Sequence, residues 1–245
     1  MTTIITPDAP TWRPYAAEVA ERLRVLSVAG IAVGVIVAGV GSRLAMFLLR
    51  LTSPPEVVGV TSDDGFTIGR VTLGGTYSLL VLGAAVGIIG AAAYRAVAPW
   101  LIGPLWFRRV SVAAAAGVVV GSMLVHADGI DFVLLKPTWF AIALFVALPA
   151  LFGWAMSVAV DRVASPDSAT RRGRWRWILP VVMVIAFPVT AILMIAATAI
   201  LVVWIPIHRA LVTVPRPVGL VVRGLWLLIA VAGLFALVGD IRDLA

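Results

Sequence analysis

The chain alternates between long apolar runs and short polar interruptions. Six runs reach membrane-spanning length or come close to it, over about 25–49, 73–97, 110–126, 139–160, 177–205 and 218–239. A helix needs roughly 20 apolar residues to cross a hydrocarbon core about 30 Å thick, and only the third run is slightly short. The fifth is overlong and carries Pro180 and Pro188 in its first half. It is expected to form one tilted, kinked helix, because dividing it leaves two pieces each too short to span. The predicted fold is an all-α integral membrane protein with six transmembrane helices, forming a single membrane domain over 25–245. Residues 1–24 form a separate amphipathic segment. Within it Trp12, Tyr15, Val19 and Leu23 recur at helical spacing among Arg13, Glu18, Glu21, Arg22 and Arg24. That is the pattern of a helix lying on the cytoplasmic membrane surface.

The longest polar interruption in the first half is 57–72, which reads VVGVTSDDGFTIGRVT. Short stretches of Val, Thr, Ile and Phe flank an Asp64-Gly65 pair, and Asp and Gly best tolerate the positive φ of a tight hairpin turn. A small extracytoplasmic β-hairpin is predicted here.

Composition agrees with the pattern. The chain is 62% hydrophobic and 13% charged, against roughly 25% charged in a soluble domain, and its mean hydropathy is +1.08. It contains no Cys, so disulfides and Cys-based metal sites are excluded. The net charge of +7 comes from 18 Arg and Lys136 against 12 acidic residues. In such a chain the first explanation is topology and not nucleic acid, because cytoplasmic loops collect basic residues. Six spans with a cytoplasmic N-terminus place twelve basic residues inside and seven outside, as expected for a multi-pass protein of the plasma membrane. Arg209, Arg216 and Arg223 fit this path least well. A re-entrant or double fifth run would move the C-terminus outside.

Three runs carry G-x-x-x-G pairs: Gly30 and Gly34, Gly83 and Gly87, Gly117 and Gly121. Such pairs let helix backbones approach closely, so spans one to three are expected to pack together, or to pair with a second copy.

Candidate chemistry is sparse. No Asp or Glu lies near the middle of any apolar run, which weighs against a proton-coupled carrier. Arg43 lies inside the first run, where a charge snorkels or pairs. The loops expected on the same outer side carry Asp63, Asp64, Arg70, His126, Asp128 and Asp131. Together with Arg43 these are the candidate ligand or ion-pair residues, read as a salt-bridged outer cap. Their spacing matches no EF-hand or zinc pattern, and no metal or cofactor is predicted. Ser122 and His126 share a helix face but lack a nucleophile elbow around them. His126 and His208 have no supporting haem motif. On the inner side Arg171, Arg172, Arg174 and Arg176 are interleaved with Trp175 and Trp177. This is topogenic charge with an interfacial anchor, and also a candidate site for anionic lipid headgroups.

The expected partners are the lipid bilayer, anionic lipids at that Arg cluster, and a protein partner or second copy, but not nucleic acid. The expected function is a non-catalytic accessory, assembly or sensing module with a structured outer cap. The alternatives are a small transporter or lipid-handling protein with Arg43 near its outer gate, and a membrane-embedded hydrolase or metalloenzyme using His126, Asp128 and Asp131.

Overall fold

The computed structural model describes residues 12–57, 59, 72–125, 134–210 and 216–244. The chain is an all-α membrane protein, with no strand among the described residues. Among the described residues five helices are long and apolar enough to cross a membrane. Helix α1 runs from Trp12 to Thr52, α2 from Leu73 to Val97, α3 from Leu105 to Leu124 and α4 from Thr138 to Ala164. Two further apolar helices follow, α5 (Trp175–Ala186, 12 residues) and α6 (Val189–Ala210, 22 residues), and then α7 (Arg216–Leu244).

No break separates the amphipathic N-terminal pattern from the first apolar run. Helix α1 is continuous over 41 residues, about 60 Å of helix, so it is longer than any bilayer core. It loosens into π-helical turns at Leu26–Gly30 and Gly34–Val40, where α2 crosses it. Gly30 and Gly34 there face Gly83 and Gly87. A Cβ placed on Gly30 would fall 2.8 Å from the Gly87 carbonyl oxygen, and one on Gly83 2.5 Å from that of Gly34. The contact is backbone against backbone, which only glycine permits.

The third glycine pair makes a different contact from the one its spacing suggested. Gly117 and Gly121 face Val146 and Ala150 of α4, while Gly153 of α4 faces Ala116 and Val112 of α3. Spans one to three therefore do not form one tight trio. The glycines bind α1 to α2 and α3 to α4 as two close pairs, because α4 carries its own small residues in register with α3.

The fifth apolar run departs most from expectation. It is not one kinked helix. Helix α5 stops at Ala186, Phe187 leaves helical geometry at φ −130° and ψ 77°, and α6 begins at Val189. The cause is Pro188, whose ring disfavours helical angles at the preceding residue. Thr190, fully buried, donates its backbone N–H (2.9 Å) and its hydroxyl (2.6 Å) to the Phe187 carbonyl. An opened backbone in an apolar setting needs such internal satisfaction. Pro149, by contrast, sits buried within the unbroken α4.

The two arms double back on each other. Met183 and Val184 of α5 and Phe187 at the break pack with Leu193 and Met194 of α6 against Ile31, Ala84 and Ile88, midway along α1 and α2. Further along α6, Ala197 packs against the cluster that contains Val25, Leu26, Ala91, Tyr94 and Val160, and the Tyr15 hydroxyl donates to the Val202 carbonyl. The partners of α6 on α1 thus move back toward the end that carries Trp12. Helix α7 then starts at that same end, where Arg223 Nε donates to the Trp100 carbonyl (3.2 Å). It finishes at the other, where Leu237, Ile241 and Leu244 pack with Leu49, Val57, Val125 and Leu135.

Two smaller differences concern the loops. Val57 lies in a short 3₁₀ turn, Pro55–Val57. Thr72 caps α2 by accepting the Gly75 N–H (3.1 Å). Both belong to the stretch expected as a hairpin, and the rest of that segment apart from Gly59 lies outside the described residues.

Candidate functional site

Of the residues singled out for the outer cap, Asp63, Asp64, Arg70, His126, Asp128 and Asp131 lie outside the described residues. Arg43 is described, half-buried on α1 between Gly41 and Thr52. Nearby, Ser53 links the C-terminal end of α1 to the start of α4, accepting the Lys136 N–H (3.1 Å) and donating to the Lys136 carbonyl (3.3 Å). The Ser122 hydroxyl is occupied by its own helix, donating to the Val119 carbonyl at 2.9 Å. Among the described residues no group of three or more His, Asp or Glu side chains is placed to hold a metal ion.

The polar residues that converge lie at the opposite end, which carries Trp12. Arg24 is buried with 3% of its surface exposed. Its guanidinium makes a forked pair with Glu21, one turn earlier on α1, through Nε to Oε2 (3.0 Å) and a terminal nitrogen to Oε1 (2.6 Å). It also donates to the Val163 carbonyl at the end of α4 (2.8 Å) and to the Thr170 hydroxyl. Glu21 reaches in turn to Arg171 at 3.4 Å. Burial of a guanidinium is costly unless its donors are satisfied, and here one carboxylate, one carbonyl and one hydroxyl meet that need. Arg24 thereby binds the first helix to the end of the fourth and to the loop that leads into α5.

A second polar group lies at the same end. The Tyr94 hydroxyl of α2 donates to Asp161 of α4 at 2.9 Å. Arg109 of α3 approaches the other carboxylate oxygen at 3.8 Å. Arg108 donates to the Ala98 carbonyl after α2 at 2.7 Å. Helices α2, α3 and α4 are thus fastened to one another by polar contacts, at the level where their apolar stretches end.

The loop between these groups is folded on itself. Ser168 N–H donates to the Ser165 carbonyl and Arg171 N–H to the Ser168 carbonyl, and the hydroxyls of Ser168 and Thr170 meet at 2.8 Å. The four arginines expected to act as one cluster are divided by it. Arg171 is engaged by Glu21. Arg176 stacks over the Trp177 ring, 5.3 Å from its centroid. Arg172 and Arg174 remain exposed, with Arg172 3.9 Å from the still more exposed Asp167.

The convergence of Glu21, Arg24, Tyr94, Asp161 and Thr170 was missed by reasoning from the sequence. A signal was present. Glu21 and Arg24 are three apart on a helix, the spacing of an ion pair, and Arg24 directly precedes the apolar run. Chemically the arrangement holds structure. Glu21 accepts from Arg24, and Asp161 accepts from Tyr94. Comparison with protein-family models, with curated proteins and with solved structures finds no match to this chain.

Proposed function

We propose that this chain is a non-catalytic membrane module, an accessory, assembly or sensing subunit. In this reading it crosses the plasma membrane five times, has a cytoplasmic N-terminus, and carries α5 and α6 as a re-entrant pair entered from the cytoplasmic side. The orientation is supported by charge. With the C-terminus on the far side, connectivity assigns fourteen of the 19 basic residues to the Trp12 end and five to the other, against twelve and seven for six spans. That is the stronger positive-inside asymmetry, and Arg209, Arg216 and Arg223 cease to be exceptions.

The observation that carries the functional reading is Arg24. It is the one fully buried charged side chain among the described residues, and its donors are spent on the protein itself. A transport or catalytic centre holds polar groups toward a substrate path. Here the polar investment goes into fixing helix ends, as suits a scaffold that presents surfaces. Purification of the full chain in mild detergent, with cross-linking in native membranes, tests this. A stoichiometric partner or a homo-oligomer is expected, and a monodisperse monomer with no cross-linked species would overturn the reading.

A second reading, a small transporter or lipid-handling protein, draws on the break at Phe187–Pro188. Discontinuous helices at mid-depth are a recurrent element of transporter sites. Uptake of a labelled lipid or solute into vesicles, dependent on an intact break, would favour it over the module.

A further inference from the structure

The foot of α5 combines two features that the polar network does not use. The first is a pair of exposed arginines on either side of Gly173. Arg172 has 74% of its side chain exposed and only Asp167, 94% exposed, at 3.9 Å. Such a pair in solvent contributes little, so Arg172 is available to a stronger anion. Arg174 is exposed as well. The second is the apolar stripe that begins at once beyond them. Trp175, Ile178, Val182 and Ile185 follow at helical spacing, and all are exposed, from 40% to 71%. Cationic groups at the foot of a bare hydrocarbon-facing stripe are complementary to a molecule with an anionic head and a long apolar tail. A free phosphate ion would use only the first half of that surface.

We propose that Arg172 and Arg174 bind the phosphate of an anionic phospholipid whose acyl chain lies along the exposed face of α5. The inference rests on the membrane reading above and adds the partner at this position. The Trp175 and Trp177 rings mark the interfacial level, where indole is favoured. The clamp of Glu21 on Arg171 and of Arg24 on Thr170 holds the loop there. The bound lipid seats the base of the re-entrant arm, and Asp167 competes with it for Arg172.

The test uses the full chain purified in detergent and titrated with phosphatidylglycerol or phosphatidylcholine of matched acyl chains, with bound lipid counted by native mass spectrometry. Phosphatidylglycerol is expected to bind in preference. At about the interaction expected of each Arg near an anionic surface, the R172Q/R174Q double variant should weaken it roughly 30-fold. Asp167→Asn should strengthen binding, and Arg50→Gln at the other end should leave it unchanged. The Asp167→Asn arm keeps the test decisive even if the double variant folds poorly. Equal binding of both lipids, unchanged binding in R172Q/R174Q, or displacement of the lipid by millimolar inorganic phosphate would overturn the proposal. Failure of the chain to float with vesicles of either composition would instead remove the membrane reading, and the lipid site with it.

Discussion

The two ends of the helical bundle handle an intrahelical arginine in different ways. Near the Trp12 end, Arg24 is buried and is met by a carboxylate on its own helix and by two groups from distant segments. Toward the other end, Arg43 is only half-buried on the same helix, and the described polar links there include the Ser53 hydroxyl with Lys136 and the Thr72 cap of α2. The difference shows how one helix can anchor a bundle. A charge that joins several chain segments costs more to bury and fixes more when satisfied.

Substitutions should grade this contrast. The largest effect is expected from Arg24→Leu, which leaves Glu21 with Arg171 alone and releases both Val163 and Thr170. A loss of about 3–5 kcal/mol is expected for breaking a buried pair, read as a large fall in apparent Tm in detergent or as absent folded protein. Glu21→Gln keeps the shape but removes the charge from two contacts, and about 1–3 kcal/mol should be lost. A double-mutant cycle with Arg171→Gln should be non-additive, since both side chains meet at 3.4 Å. Tyr94→Phe removes a single hydroxyl from Asp161 and should cost about 0.5–1.5 kcal/mol. Arg50→Gln, exposed on the last turn of α1, should lie within about 0.5 kcal/mol of the parent. An Arg50→Gln effect as large as that of Arg24→Leu would erase the difference between the two ends.

Much of the architecture was legible because lipid makes apolar length informative. The runs that became α1 to α4 and α7 were visible as such, and the glycine pairs did mark close contacts. What the pattern did not carry was which helix each glycine face would meet. Gly117 and Gly121 found α4 because Ala150 and Gly153 complete the fit, a property of two segments together. The fifth run was misjudged on a length argument. The helix opened at Phe187–Pro188 is stable because both pieces lie against α1 and α2 and Thr190 satisfies the opened backbone. The misfit of Arg209, Arg216 and Arg223 had already pointed there. The candidate site was legible only in part. Arg24 was read as one charge on an amphipathic surface, since its remote partners Val163 and Thr170 follow nearly 140 residues later or more.

The central claim is that the stretch from Trp175 to Ala210 enters the membrane and returns, so that α7 runs from the Trp12 end to the opposite face. The chain contains no Cys, so single cysteines report sidedness without background. Ala169→Cys, exposed in the loop before α5, and Asp243→Cys, exposed at the end of α7, would be treated in intact cells with a membrane-impermeant maleimide. The account predicts labelling of Asp243→Cys and protection of Ala169→Cys until the cells are permeabilised. Protection of both, or labelling of both, would contradict it and restore a six-span path.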